Sequence, residues 1–207
     1  MRKILLWGLL GFLPLVPAGL GARAVPSLED AAPQRSLQGQ LLVAEPRLDD
    51  PNFDHTVVVM LEHDEDGAVG VVINRPYGKA PTAELLQRLG VGVEGVGGET
   101  TLFYGGPVQP EAGLVVHSAD YALADTHALG SGLAVTSNPE ILKDMATGKG
   151  PRQAVPVLGY AGWGPGQLES ELAQGAWFVI PADPALVFAA NTTRIWEQAM
   201  SRRGVEL

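Results

Sequence analysis

The sequence predicts an α+β fold, a mixed sheet with flanking helices, built as a single domain over residues 39–207. Two β-branched runs, HTVVVMLE (55–62) and AVGVVIN (68–74), are apolar almost without a break, the pattern of strands buried on both faces. Strand-like runs and short capped helical stretches interleave irregularly, without the βαβ alternation of a doubly wound sheet. The length suits one core that buries about 70% of its unfolded surface and is too short for two.

The elements follow in order. QLLVA (40–44) is a short strand, and His63-Asp64-Glu65-Asp66-Gly67 joins the two long runs as a hairpin. Pro81-Thr82-Ala83-Glu84 opens a helix through Leu89, stopped by Gly90, and residues 90–98 form a glycine-rich loop. Strands are expected at 101–104, 113–117 and 132–136. Ser137-Asn138-Pro139-Glu140 has the form of a capping box, so a helix should run to about Thr147. A strand at 154–159 leads into a glycine loop and a helix over about 166–174. A strand at 177–180, a helical turn from Asp183-Pro184 and a last helix over 193–203 complete the chain.

Charge and composition exclude several classes. The chain carries 14 Lys and Arg against 23 Asp and Glu, a formal net charge of -9. Three of those basic residues, Arg2, Lys3 and Arg23, lie in the first 24 positions, where no acid occurs. The rest of the chain is therefore more acidic still, which argues against broad contact with phosphate backbones. With zero cysteines there is no disulfide framework, thiolate metal site or cysteine nucleophile.

The N-terminus has the three parts of a secretory signal peptide. Met1-Arg2-Lys3 is basic, residues 4–13 are apolar apart from Gly8 and Gly11, and Ala22-Arg23-Ala24 offers small residues for cleavage. The apolar run is shorter than the roughly 20 residues of a membrane span. Residues 1–24 are therefore expected to be removed, leaving a flexible leader at 25–38 and a periplasmic or secreted protein. The alternative is an uncleaved, cytoplasmic chain.

Three segments could carry chemistry. Gly159-Tyr160-Ala161-Gly162-Trp163-Gly164-Pro165-Gly166-Gln167-Leu168-Glu169 reads as a glycine-dense turn opening a helix, where backbone N–H groups can face an anion. It lacks the Lys and hydroxyl of a P-loop and the G-x-G-x-x-G spacing, and Glu169 would repel a phosphate. A tight turn covered by Trp163 is the plainer reading. The acidic stretch from Glu62 to Gly67 does not fit a calcium loop, because Ile73 stands where the bidentate Glu belongs. Gly105-Gly106-Pro107 allows unusual backbone angles after a strand, as a turn or a pocket wall. The four histidines show no H-E-x-x-H spacing, and no G-x-S-x-G elbow occurs. No metal or cofactor is called for.

LLVAEPRLDDPNFDHTVVVMLEHDEDGAVGVVINRP (41–76), YGGPVQPEAGLVVHS (104–118), LAVTSNPEIL (133–142) and LGYAGWGPGQLESELAQGAWFVIPAD (158–183) together resemble the AlgH/YqgE family of bacterial proteins. The resemblance runs from about residue 39 to the C-terminus. It implies a bifurcated, barrel-like sheet, a transcriptional-regulator label and no attached catalysis. Its recurring residues here include Asp50, Phe53, Glu62, His63, Asn74, Gly105, Gly106, Pro107, Gly159, Tyr160, Trp163, Gln167, Glu169 and Trp177. An apparent signal peptide departs from a family whose members are usually cytoplasmic.

Three functions compete. The first is a non-catalytic binding or regulatory module for a protein or small molecule. Its groove would be lined by Glu62, His63, Asn74, Gly105, Gly106, Pro107, Gly159, Tyr160, Trp163, Gln167 and Glu169. Alanine at Trp163, Gln167 and Glu169 would then leave the fold intact. The second is a hydrolase using Glu62 or Glu169 with His63 as acid and base. The third is a DNA-binding regulator, which the acidic balance and the lack of a basic helical stripe oppose.

Overall fold

A computed structural model describes residues 36–204 of the chain. The expected signal peptide and the leader up to residue 35 lie outside the described residues. The strands are β1 (Gln40–Ala44), β2 (Val57–Asp64), β3 (Gly67–Val72), β4 (Pro76–Pro81), β5 (Glu99–Tyr104), β6 (Val108–Ser118), β7 (His127–Gly130), β8 (Leu133–Thr136), β9 (Ala154–Trp163) and β10 (Trp177–Pro181). The helices are α1 (Thr82–Arg88), α2 (Glu140–Ala146), α3 (Gln167–Ala173), α4 (Pro184–Val187) and α5 (Ile195–Met200).

The strands form one mixed sheet in the order β10-β1-β2-β3-β9-β6-β8-β7, with the β4–β5 ribbon attached to β9. Among the described residues only the β5–β9 pairing is parallel. The sheet forks along β9. One edge of β9 pairs with β6 along its length; on the other, Val157 and Leu158 pair with β5, while residues 161–163 pair with β3. The path also curls. Gly39, just before β1, lies so close to the Leu129 carbonyl of β7 that a Cβ there would sit 1.9 Å from its oxygen. The expected α+β, bifurcated and barrel-like sheet is thus the observed one.

Glycines make the fork possible. Gly105 N–H donates to Leu158 O at 2.8 Å and Gly105 O accepts from Val72 N–H at 2.8 Å, so one residue ties β9 to β3. Gly106 and Gly159 both have positive φ, 154° and 73°, and each one's missing Cβ would lie within 2.4 Å of the other segment's backbone.

Both faces of the sheet are covered, which is why β2 reads as continuously apolar. Val57 and Val59 face the interior of the curl with α4 and α5; Val58 and Met60 face the cluster under α3; none of the four is exposed. A bulge between Met60 and Glu62 interrupts the alternation, leaving Leu61 buried and Glu62 exposed. A third cluster, Leu86, Val115, Ile141 and Leu142, packs α1 and α2 on the β6 side.

Four local expectations change. β4 (PYGKAP) and β7 (HALG) were not legible as strands; β4 carries a proline at each end and pairs only with β5, an edge position where missing donors are tolerated. The supposed glycine loop after residue 159 is strand, because β9 continues through Trp163 and the turn comes at residues 164–166. The hairpin turn shrinks to Glu65 and Asp66, with Asp64 Oδ1 accepting from Asp66 N–H at 2.9 Å. Asn138, rather than Ser137, caps α2 by accepting from Glu140 N–H at 3.0 Å.

Candidate functional site

Residue by residue, the candidates separate into a cluster and a frame. The cluster forms where α3 crosses the β2–β3 end of the sheet. Gly166, at φ 72°, turns the chain from β9 into α3, and Gln167 Oε1 holds the turn by accepting from Gly164 N–H at 3.1 Å. Leu168 then points into the core at 1% exposure, which sets Glu169 beside the sheet at the end of β2. There His63 Nε2 and Glu169 Oε1 are 2.7 Å apart.

The other ring nitrogen defines the histidine's state. Leu37 N–H donates to His63 Nδ1 at 3.0 Å, so Nδ1 is the unprotonated nitrogen and Nε2 carries the hydrogen donated to Glu169. Ser36 Oγ also donates to the His63 carbonyl at 2.9 Å. The imidazole side chain is 6% exposed, against 25% for Glu169. Burial pushes the Glu169 carboxyl up. The His63 hydrogen bond, its own backbone N–H and the His63 charge when that ring is protonated outweigh that and hold it below the usual carboxylate value.

The sign of this shift gives a pH prediction. A carboxyl lowered in the folded state contributes stability above its unfolded value, and that contribution is lost as pH falls through the folded value. Replacing Glu169→Gln should therefore destabilise the protein while the carboxyl is ionised, and the difference from the parent should vanish only as pH falls through the lowered folded value of Glu169. Urea unfolding of both proteins across that range checks it.

Beside this pair stands an aromatic group. Phe53 stacks on Trp163 at a centroid distance of 6.2 Å and meets Trp177 edge-on at 5.4 Å. Both indoles donate to one oxygen, Glu171 Oε2, at 2.9 and 2.8 Å, and Gln167 Nε2 donates to Glu171 Oε1 at 2.9 Å. Trp163 is only 6% exposed, so its truncation would strike the core instead of probing a surface, contrary to the expectation that alanine there leaves the fold intact.

The remaining candidates are placed elsewhere. Glu62 is exposed, and although its backbone pairs with Val69 its side chain makes no hydrogen bond among the described residues. Gly105, Gly106, Gly159 and Tyr160 form the fork of the sheet, with Pro107 exposed just after it. Asn74 stitches the start of β2, accepting from Val57 N–H at 2.9 Å and donating to His55 O at 2.9 Å. Two open depressions lie away from all of them: one of about 250 Å³ beside Thr82, Thr100 and Met145, the other beside Ser118, Asp120 and Arg152. Among the described residues no three His, Asp or Glu side chains gather as a metal site.

Sequence reasoning missed Glu171, Leu37 and Arg75. Glu171 was discoverable, since two tryptophans in a core each need an acceptor for their N–H. Arg75 holds the DDPNF segment through Pro51 O, Asn52 O and Asp54 O at 2.6–3.0 Å. Nothing in the leader's composition signalled Leu37.

A family model described as AlgH-like matches residues 41–207. The chain belongs to the AlgH-like family. A UPF0301 protein of Methylococcus capsulatus is 41% identical over 169 residues, covering 82% of this chain and 92% of that protein. A UPF0301 protein of Caulobacter vibrioides is 40% identical over 181 residues, covering 86% and 93%. Among solved structures, the AlgH protein of Pseudomonas aeruginosa is similar with TM-score 0.69 and 38% identity, covering 85% of this chain and 93% of that one. Protein DIP2367 of Corynebacterium diphtheriae gives TM-score 0.63 at 26% identity, covering 85% and 89%. The AlgH-like match takes in the fork, the His63–Glu169 pair and the aromatic group, but begins after Leu37.

Proposed function

We propose that this AlgH-like chain is a non-catalytic binding or regulatory module, and that its working face is the surface of α3 and the β2–β3 hairpin. One observation carries the reading: His63, the residue best suited to acid–base work, has both ring nitrogens committed. A general base needs a free lone pair within reach of substrate. Here the Nδ1 lone pair accepts from Leu37 N–H and the Nε2 hydrogen goes to Glu169, inside a nearly closed contact. The hydrolase alternative also loses Glu62, which is turned out to solvent. The DNA alternative faces the same surplus of acid as before, now with Glu62, Asp64, Glu65 and Asp66 together at the hairpin end.

A photo-crosslinking residue at Gln167, and separately at Glu62, tests the face in cells. A discrete adduct at both, absent from the same residue placed at Tyr77 on β4, is the expected result. Equal labelling at all three positions would remove the proposal.

The compartment belongs to the same proposal. The basic start, the apolar run and Ala22-Arg23-Ala24 support export with cleavage after Ala24, and no helix among the described residues is long and apolar enough to cross a membrane. Intact-mass measurement of the native protein after fractionation should find a chain beginning at Val25 outside the cytoplasm. A full-length cytosolic species would restore the cytoplasmic role.

A further inference from the structure

We infer that His63 is a pH-sensitive clasp for the N-terminal segment, holding the chain at Leu37 while its ring is neutral and releasing it when the ring is protonated. The inference stands whether or not the α3 face binds a partner. Residues 36–39 run beside the end of β2, although β1 pairs with β2 only from Leu41 onward. Gly39 N–H still donates to Met60 O at 2.9 Å. Leu37 O also accepts from Gln40 N–H of β1 at 2.9 Å; beyond these, the segment is held by Ser36 Oγ on the His63 carbonyl, Leu37 N–H on His63 Nδ1 and the Leu37 side chain against the cluster under α3. The one bond among these that depends on charge is the one to Nδ1.

A protonated imidazole carries hydrogens on both nitrogens. Nδ1 then stops accepting, and its N–H faces the Leu37 N–H, two donors 3.0 Å apart. The Glu169 contact is kept in either state, because Nε2 donates in both. Protonation therefore loosens one side of the ring and tightens the other.

The groups around the ring are few. From α3 comes Glu169; Glu171, on the same helix, is taken up by Trp163, Trp177 and Gln167. β3 presents Ala68 as the strand partner of His63, and residues 36–39 contribute no titratable side chain. On its own hairpin the flanking Glu62 and Asp64 are exposed, as are Glu65 and Asp66 at the turn. No basic group among these competes for Glu169, so the carboxylate is available to the imidazolium.

Amide hydrogen exchange of the full chain, corrected for the intrinsic pH dependence, tests the clasp from about pH 8 to pH 5, where histidine changes charge. Protection at Leu37 should fall about tenfold on acidification while Leu41 and Val43 in β1 stay protected, the loss expected for one hydrogen bond. The variant His63→Asn keeps an acceptor near the Nδ1 position that does not titrate, so its Leu37 protection should not change with pH. His63→Gln places its amide toward Glu169 and should leave Leu37 unprotected at every pH. Constant protection in the parent, or a pH response in His63→Asn equal to the parent's, would overturn the inference. Protection of Leu41 and Val43 in each variant reports that it has folded.

Discussion

Alanine in place of Gly106 is expected to cost about 3–5 kcal/mol, enough to leave little folded protein from a typical total of about 5–15 kcal/mol. Its Cβ would lie 2.1 Å from the Tyr160 carbonyl carbon, 2.2 Å from that carbonyl's oxygen and 2.4 Å from Ala161 N. All three atoms belong to the backbone of β9, which is paired on both edges and has no room to retreat. Forced overpacking of this kind costs about 1–3 kcal/mol even where side chains give way, and φ 154° adds backbone strain. Gly105→Ala meets Gly159 O at 2.2 Å and should behave alike. Gly97→Ala is the control, with nothing within 4 Å of its Cβ, and should shift stability by no more than about 0.5 kcal/mol. Urea unfolding, or soluble yield where the variant does not fold, measures the contrast.

Removal of the Glu171 carboxylate should cost about 3 kcal/mol, because two buried indole donors lose their partner and each such loss is worth about 1–3 kcal/mol. Trp163 and Trp177 are 6% and 3% exposed, and the same oxygen accepts from both indoles. Glu171→Ala leaves both of them unpaired. Glu171→Gln keeps one oxygen for the indoles but sets its NH₂ against the Gln167 amide donor, so the loss should be smaller, about 1–2 kcal/mol. Chemical denaturation followed by tryptophan fluorescence reads both. If Glu171→Ala unfolds at the parent's midpoint, the carboxylate is not the hub of the aromatic group.

These two variants mark where the sequence was legible. Val57, Val58, Val59 and Met60 announced a strand covered on both sides, and the structure buries all four. The glycines at 105, 106 and 159 were visible as backbone freedom, but their purpose was not. A close approach between segments far apart in the chain is a property of the pair, and neither segment carries it alone. His63 and Glu169 could be named together from the sequence as an acid–base pair, but their 2.7 Å contact comes from the packing of α3 on the sheet. Glu62 sits exposed just past a bulge between Met60 and Glu62, a local irregularity that the residue pattern of the strand does not announce. The glycine-dense run from Gly159 reads as a turn, whereas here Gly159 marks a close approach inside a strand and lets that strand change neighbours.

The reading of this AlgH-like chain as a binding module depends on a histidine with no nitrogen to spare. Long-range ¹H–¹⁵N correlation spectra of the imidazole rings measure that state directly at neutral pH. The predicted result is a single neutral tautomer for His63, with hydrogen on Nε2 and Nδ1 shifted as an accepting nitrogen, unchanged when candidate substrates are added. A ring with hydrogen on Nδ1, or one averaging between the two tautomers, would mean that Leu37 does not hold it and that a free base stands beside Glu169.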